Sequence, residues 1–125
     1  MHGFASTIGG YFDIPHGVIC SALMGPVNNI TVKGLQQKDP HHIALQKYAI
    51  VGKMFAKEEN KSDAYYIQFI LTMIDELTKR LEIPRLSAFN LTGKDIDRIV
   101  SGSDNKNNPV KLSPEQMAEA LEMAL

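Results

Sequence analysis

The sequence predicts an all-α fold, a helical bundle, and three observations lead there. Apolar residues recur at spacings of three and four from about residue 15 to the end, as on one side of a helix. No segment alternates apolar and polar residues cleanly enough to be a half-buried strand. The stripes are separated by the residues that start and stop helices. With 125 residues, 44% of them hydrophobic and 22% charged, the chain reads as one globular domain over residues 1–125.

Taken in order, the opening MHGFASTIGGYFDIPHG predicts a first helix from about His2 to Ile8, stopped by Gly9 and Gly10. A second helix is expected from Pro15 through VICSALM to Gly25 and Pro26. In HHIALQKYAIVGKMFAK, Ala44, Tyr48, Val51 and Phe55 share a face at offsets of four, seven and eleven, with Asp39 as the N-cap and Pro40 as the first helical residue. The strongest stripe runs through SDAYYIQFILTMIDELTKRLEIP, where Ile67, Ile70, Leu71, Ile74, Leu77 and Leu81 align and Pro84 lies just beyond the end. A shorter helix is expected across GKDIDRIVSG, with Thr92 as its cap, Ile96, Ile99 and Val100 facing inward and Gly102 near its close. The polar loop SDNKNNP follows. The last helix opens on a capping box of Ser113 and Gln116 with Pro114 in its first position, ahead of Met117, Ala120, Leu121 and Ala124.

Composition narrows the function. Thirteen basic and 14 acidic residues leave no positive excess to neutralise phosphates, so nucleic acid is not an expected partner. The apolar runs are short and broken, which argues against a membrane span or a signal peptide. The single cysteine, Cys20, forms no internal disulfide, and a reducing cytoplasm fits.

The chemistry-bearing residues cluster at the start. His2 and His16 fall on two helical elements joined by a tight turn, and two such imidazoles can converge on zinc or divalent iron. At the start of a helix the dipole disfavours imidazolium, which keeps His16 free to coordinate. Asp13 reads either as a hydrogen-bonding partner behind a histidine or as a turn residue. The bland alternative makes His2 a loose terminal residue and His16 a solvent-facing one. His41 and His42 are adjacent, so on a helix they point about 100° apart and cannot both face one ion. Cys20 lies one turn beyond His16 and reads as a small packed apolar residue rather than a ligand or nucleophile.

The string HGFASTIGGYFDIPHGVICSALM resembles the metal-binding signature of the iron-containing, or group III, alcohol dehydrogenases: a histidine, a small-residue stretch with Gly-Gly and an aromatic, then Pro-His-Gly. The likeness continues through an apolar helix leading to Asn28 or Asn29, the exit EIPRL and the tail NNPVKLSPEQMAEALEMAL, and so covers essentially the whole chain. It implies the C-terminal part of that family's helical domain, with the nucleotide-binding domain absent. It implies iron(II), or zinc in some members, held by an aspartate and three histidines, of which the last two match His2 and His16. Ser6 stands where many members carry a histidine near the nicotinamide, which marks Ser6 as a cofactor-facing position and leaves the catalytic group unassigned. NAD or NADP would bind through the missing domain, the substrate would be a small alcohol or aldehyde, and the isolated chain would be inactive. An upstream polypeptide or a second copy would be its partner. The runner-up expectation is a stand-alone helical dimerisation or interaction module; a third is a small metal-binding protein whose site a second copy completes.

Overall fold

The second helix, α2, organises the molecule. In the computed structural model, which describes all 125 residues, α2 (His16–Lys38) has 23 residues, about 35 Å at 1.5 Å per residue. Its buried residues, among them Ile19, Leu23, Val27, Ile30, Val32 and Leu35, are too many for one apolar stripe because its two halves serve two cores. The N-terminal half packs with α1 (His2–Tyr11), α5 (Ile96–Gly102) and α6 (Pro114–Ala124) around Phe4, Ile8, Ile99, Ala120 and Leu121. The C-terminal half packs with α3 (Ile43–Phe55) and α4 (Asp63–Arg80) through Leu45, Ala49, Tyr66, Ile67 and Leu71. Six α-helices and two short 3-10 turns, Leu86–Phe89 and Gly93–Asp95, make up the fold, which is all-α as expected.

The elements with strong local signals form where the sequence puts them. Ser113 caps α6 by accepting from the Gln116 amide, the Gln116 side chain returns the bond, and Met117, Ala120, Leu121 and Ala124 are buried. The Thr92–Asp95 box opens the 3-10 turn that leads into α5, where Ile96 and Ile99 are buried and Gly102 is the last residue.

Five expectations are corrected. Gly9 and Gly10 do not end α1, because neither takes a positive φ and both stay helical; the chain leaves the helix after Tyr11, at an extended Phe12. Nor does α2 stop at Gly25 and Pro26. The residue before a proline is disfavoured in a helix partly through its Cβ, and Gly25 has none. The carbonyls of Met24 and Gly25 also accept from the Asn28 and Asn29 side-chain amides at 2.7 and 3.0 Å.

The start of α3 is not Asp39 and Pro40. Asp39 closes α2, and His42 caps α3 by accepting from the Ala44 amide at its Nδ1, 3.1 Å away. The buried side of α3 is Leu45, Ala49 and Gly52 with Tyr48 half-buried, while Val51 and Phe55 are exposed. Gly52 decides this orientation. A Cβ there would lie inside contact distance of the Tyr66 carbonyl oxygen, so only glycine lets the two backbones approach so closely. In α4, Ile67, Ile70 and Leu71 are buried, but Leu77 and Leu81 at the far end are 45% and 61% exposed because no helix covers them.

Candidate metal centre

His2 and His16 are the first residues of α1 and α2, and the fold brings these two helix starts together. α1 is seated by Phe4, Ala5 and Ile8, all buried. Gly3 lies against the Asp104 carbonyl with no room for a side chain, and the Thr7 hydroxyl donates to the Gly102 carbonyl at 2.8 Å. Its far end is clasped by Arg98, whose guanidinium lies 4.3 Å from the Tyr11 ring centre. Arg98 is itself held by Asp95 at 2.9 Å, and hydrogen bonds from the Thr92 amide and hydroxyl keep that carboxyl below the usual carboxylate range. The linker passes through an extended Phe12 and a three-residue turn in which the Ile14 amide donates to the Phe12 carbonyl at 2.9 Å; Ile14 is buried, and Pro15 leads into α2.

The two imidazoles stack, with ring centres 5.5 Å apart and planes within 17° of parallel. Cys20, one turn along α2, places Sγ 3.4 Å from His16 Nε2. One ligand atom from each of His2, His16 and Cys20 lies within 4.8 Å of the others. Both histidines are exposed, whereas Cys20 is half-buried and packed against the main core. The cysteine is thus packed, as its sequence context suggests, and also faces the histidines. Its spacing of four from His16 was the signal that it shares their corner.

The other candidates stand apart from this cluster. Ser6 lies one turn beyond His2 on α1, exposed, and its hydroxyl donates to the His2 carbonyl at 3.1 Å. Asp13 is an exposed residue of the link between α1 and α2. His41 is exposed and His42 is engaged in capping α3. Asn28 serves packing: its amide bonds within α2, and its carbonyl oxygen accepts from the Tyr48 hydroxyl, whose pKa is raised by burial.

The donor chemistry fits a divalent transition metal. Two neutral imidazoles suit zinc or iron(II), and a position open to solvent is what a catalytic metal requires. The histidines supply two donors, with room around the exposed rings for donors from elsewhere.

Over residues 1–125 the chain matches the family model described as Fe-containing alcohol dehydrogenase family, C-terminal. In three dimensions it is similar to a crystal structure of a 1,3-propanediol oxidoreductase, with a TM-score of 0.80 at 20% identity. That likeness covers 99% of this chain and 32% of the other, so the chain spans about a third of the solved structure's length. No curated protein matches the chain in sequence.

Proposed function

The chain belongs to the Fe-containing alcohol dehydrogenase family, whose C-terminal domain it matches over residues 1–125, and from that premise we propose that it forms the metal-binding helical part of an NAD- or NADP-dependent enzyme interconverting an alcohol and an aldehyde. The observation that best supports this reading is the convergence of His2 and His16, whose rings stack 5.5 Å apart at the corner of α1 and α2. Their side chains would hold iron(II) or zinc together with donors from another segment. When bound, the ion supplies Lewis acidity toward the substrate oxygen.

The chain's own residues do the positioning. The seat of α1 on α5 fixes the backbone at His2, and the Phe12–Pro15 link fixes it at His16, so the two imidazoles meet with only side-chain rotation left to bring their nitrogens onto one ion. Ile8, Ile14 and Ile19, all buried in the main core, anchor α1, the link and α2 beside them. Ser6 faces the cofactor side, and its hydroxyl can donate to a polar group there only by releasing the His2 carbonyl. The nucleotide, and with it the hydride acceptor, binds outside these residues, so the chain alone is inactive. No helix is long and apolar enough to cross a membrane, and we assign the protein to the cytoplasm. The interaction-module alternative is not favoured, since the family match runs the full length of the chain. Association with a second copy falls to the exposed apolar side of α3, where Ile50, Met54 and Phe55 are 60%, 76% and 58% exposed.

The test is reconstitution. The purified chain should show no alcohol-dependent reduction of NAD or NADP, and co-expression with a nucleotide-binding part from this family should restore it in a metal-dependent way. His16→Ala should lower that turnover by orders of magnitude with the helical circular dichroism unchanged, and Ser6→Ala should cost far less. A reconstituted His16→Ala protein that keeps both metal and turnover would overturn the assignment.

A further inference from the structure

His16 and Cys20 project from the same side of α2, and His2 reaches the same point from α1. We propose that Cys20 is a metal ligand, so that this chain by itself carries a three-ligand His2, His16 and Cys20 site that prefers zinc to iron. The proposal builds on the reading of His2 and His16 as ligands and adds a donor that the histidine pair does not require.

Geometry carries it. Around a tetrahedral zinc ion, with bonds of about 2.0–2.1 Å to nitrogen and about 2.3 Å to sulfur, neighbouring N and S donors stand about 3.6 Å apart. Cys20 Sγ and His16 Nε2 are 3.4 Å apart, so the α2 pair already has the bite of an occupied site. His2 needs a small adjustment, since all three donor atoms lie within 4.8 Å and two nitrogens on one ion stand about 3.4 Å apart. An exposed side chain at a helix start can make it by rotating about its own bonds, with no backbone movement. Cys20 has less freedom, because its half-buried side chain packs on the core with Sγ directed at His16.

The chemistry follows from the donors. On binding, the Cys20 S–H bond is lost, a sulfur–metal bond forms and the proton passes to solvent, with no change of oxidation state. Thiolate is a soft donor and shifts the set from iron toward zinc. Three protein ligands and one open position is the arrangement of a catalytic zinc site, and the open position takes water, substrate oxygen or a donor from another segment.

Cobalt(II), which reports sulfur ligation spectroscopically, tests the assignment on the 125-residue chain. Titration should give a near-ultraviolet sulfur-to-cobalt charge-transfer band and intense visible bands of tetrahedral cobalt, saturating at one equivalent and erased by Zn²⁺. Groups behind the ligands alone change affinity about 10–100-fold, so loss of a direct ligand in Cys20→Ser should lower cobalt affinity by ~100-fold or more and remove the charge-transfer band. His16→Ala should abolish binding. A wild-type cobalt complex without the sulfur band, or a Cys20→Ser chain that binds as tightly as wild type, would overturn the cysteine assignment and leave the histidine pair standing. Absence of cobalt binding by the wild-type chain would overturn the three-ligand site, whereas the histidine pair, which draws further donors from another segment, stands or falls with the reconstituted His16→Ala protein.

Discussion

Replacing Gly52 by alanine asks whether the α3–α4 crossing is as close as it looks. Two effects of opposite sign meet at this site. Alanine is the better helix former by up to about 1 kcal/mol. Against that, the added Cβ would meet the carbonyl oxygen, carbonyl carbon and Cα of Tyr66, all backbone atoms, which cannot swing aside as a side chain tip does. Overpacking costs about 1–3 kcal/mol, and a backbone neighbour puts this case at ~2–3 kcal/mol. The balance is a net loss of about 1–2 kcal/mol. An unfolding entropy of roughly 2.1 cal/mol/K per residue makes 1 kcal/mol worth about 4 °C for 125 residues, so the midpoint should fall by ~4–8 °C. Gly10 is the control: it is helical and exposed, and a Cβ added there would meet nothing within 4 Å, so Gly10→Ala should hold or gain stability. Urea unfolding monitored by circular dichroism, with the slope compared across variants, reads both changes. A Gly52→Ala chain as stable as wild type would show that α3 and α4 do not approach at this point.

Other outcomes follow from the same packing. Ser113→Ala removes the hydroxyl that caps α6, and urea midpoints should report a loss of about 1 kcal/mol. Leu121→Ala hollows a fully buried site in the main core, and the same measurement should show a loss of about 3–5 kcal/mol. The Thr92 bonds and Arg98 hold the Asp95 pKa below its ordinary value in the folded chain, so its contribution is complete above the unfolded pKa of about 3.9 and is lost as pH falls through the lower folded pKa. Asp95→Asn should remove that part of the acid sensitivity, seen by comparing urea midpoints at neutral and acid pH. Sedimentation of the 13.9 kDa chain should show self-association, which Met54→Lys on the exposed side of α3 should weaken; a monomer at all concentrations would contradict the pairing.

What the residues alone determine here is mostly local. Ser113 to Ala124 contains its own cap, its own first-position proline and a single apolar stripe, so α6 follows from its sequence. The change of direction between His2 and His16 was legible for a similar reason, since Gly-Gly and Asp-Ile-Pro announce it, although the glycines proved helical and the chain turns between Phe12 and Pro15. α3 was not legible in the same way. Ile43, Leu45, Tyr48, Ala49, Ile50, Val51, Met54 and Phe55 spread apolar character around the helix, and periodicity cannot choose among faces that are all apolar. Contact with the Tyr66 backbone at Gly52 makes the choice. The same limit applies to the corner where the histidines meet. That His2, His16 and Cys20 share one point depends on α1 docking onto residues about a hundred positions away, Gly3 on Asp104 and Thr7 on Gly102. Which side chains converge is set by the way these helices close-pack, and close packing is a property of the folded whole.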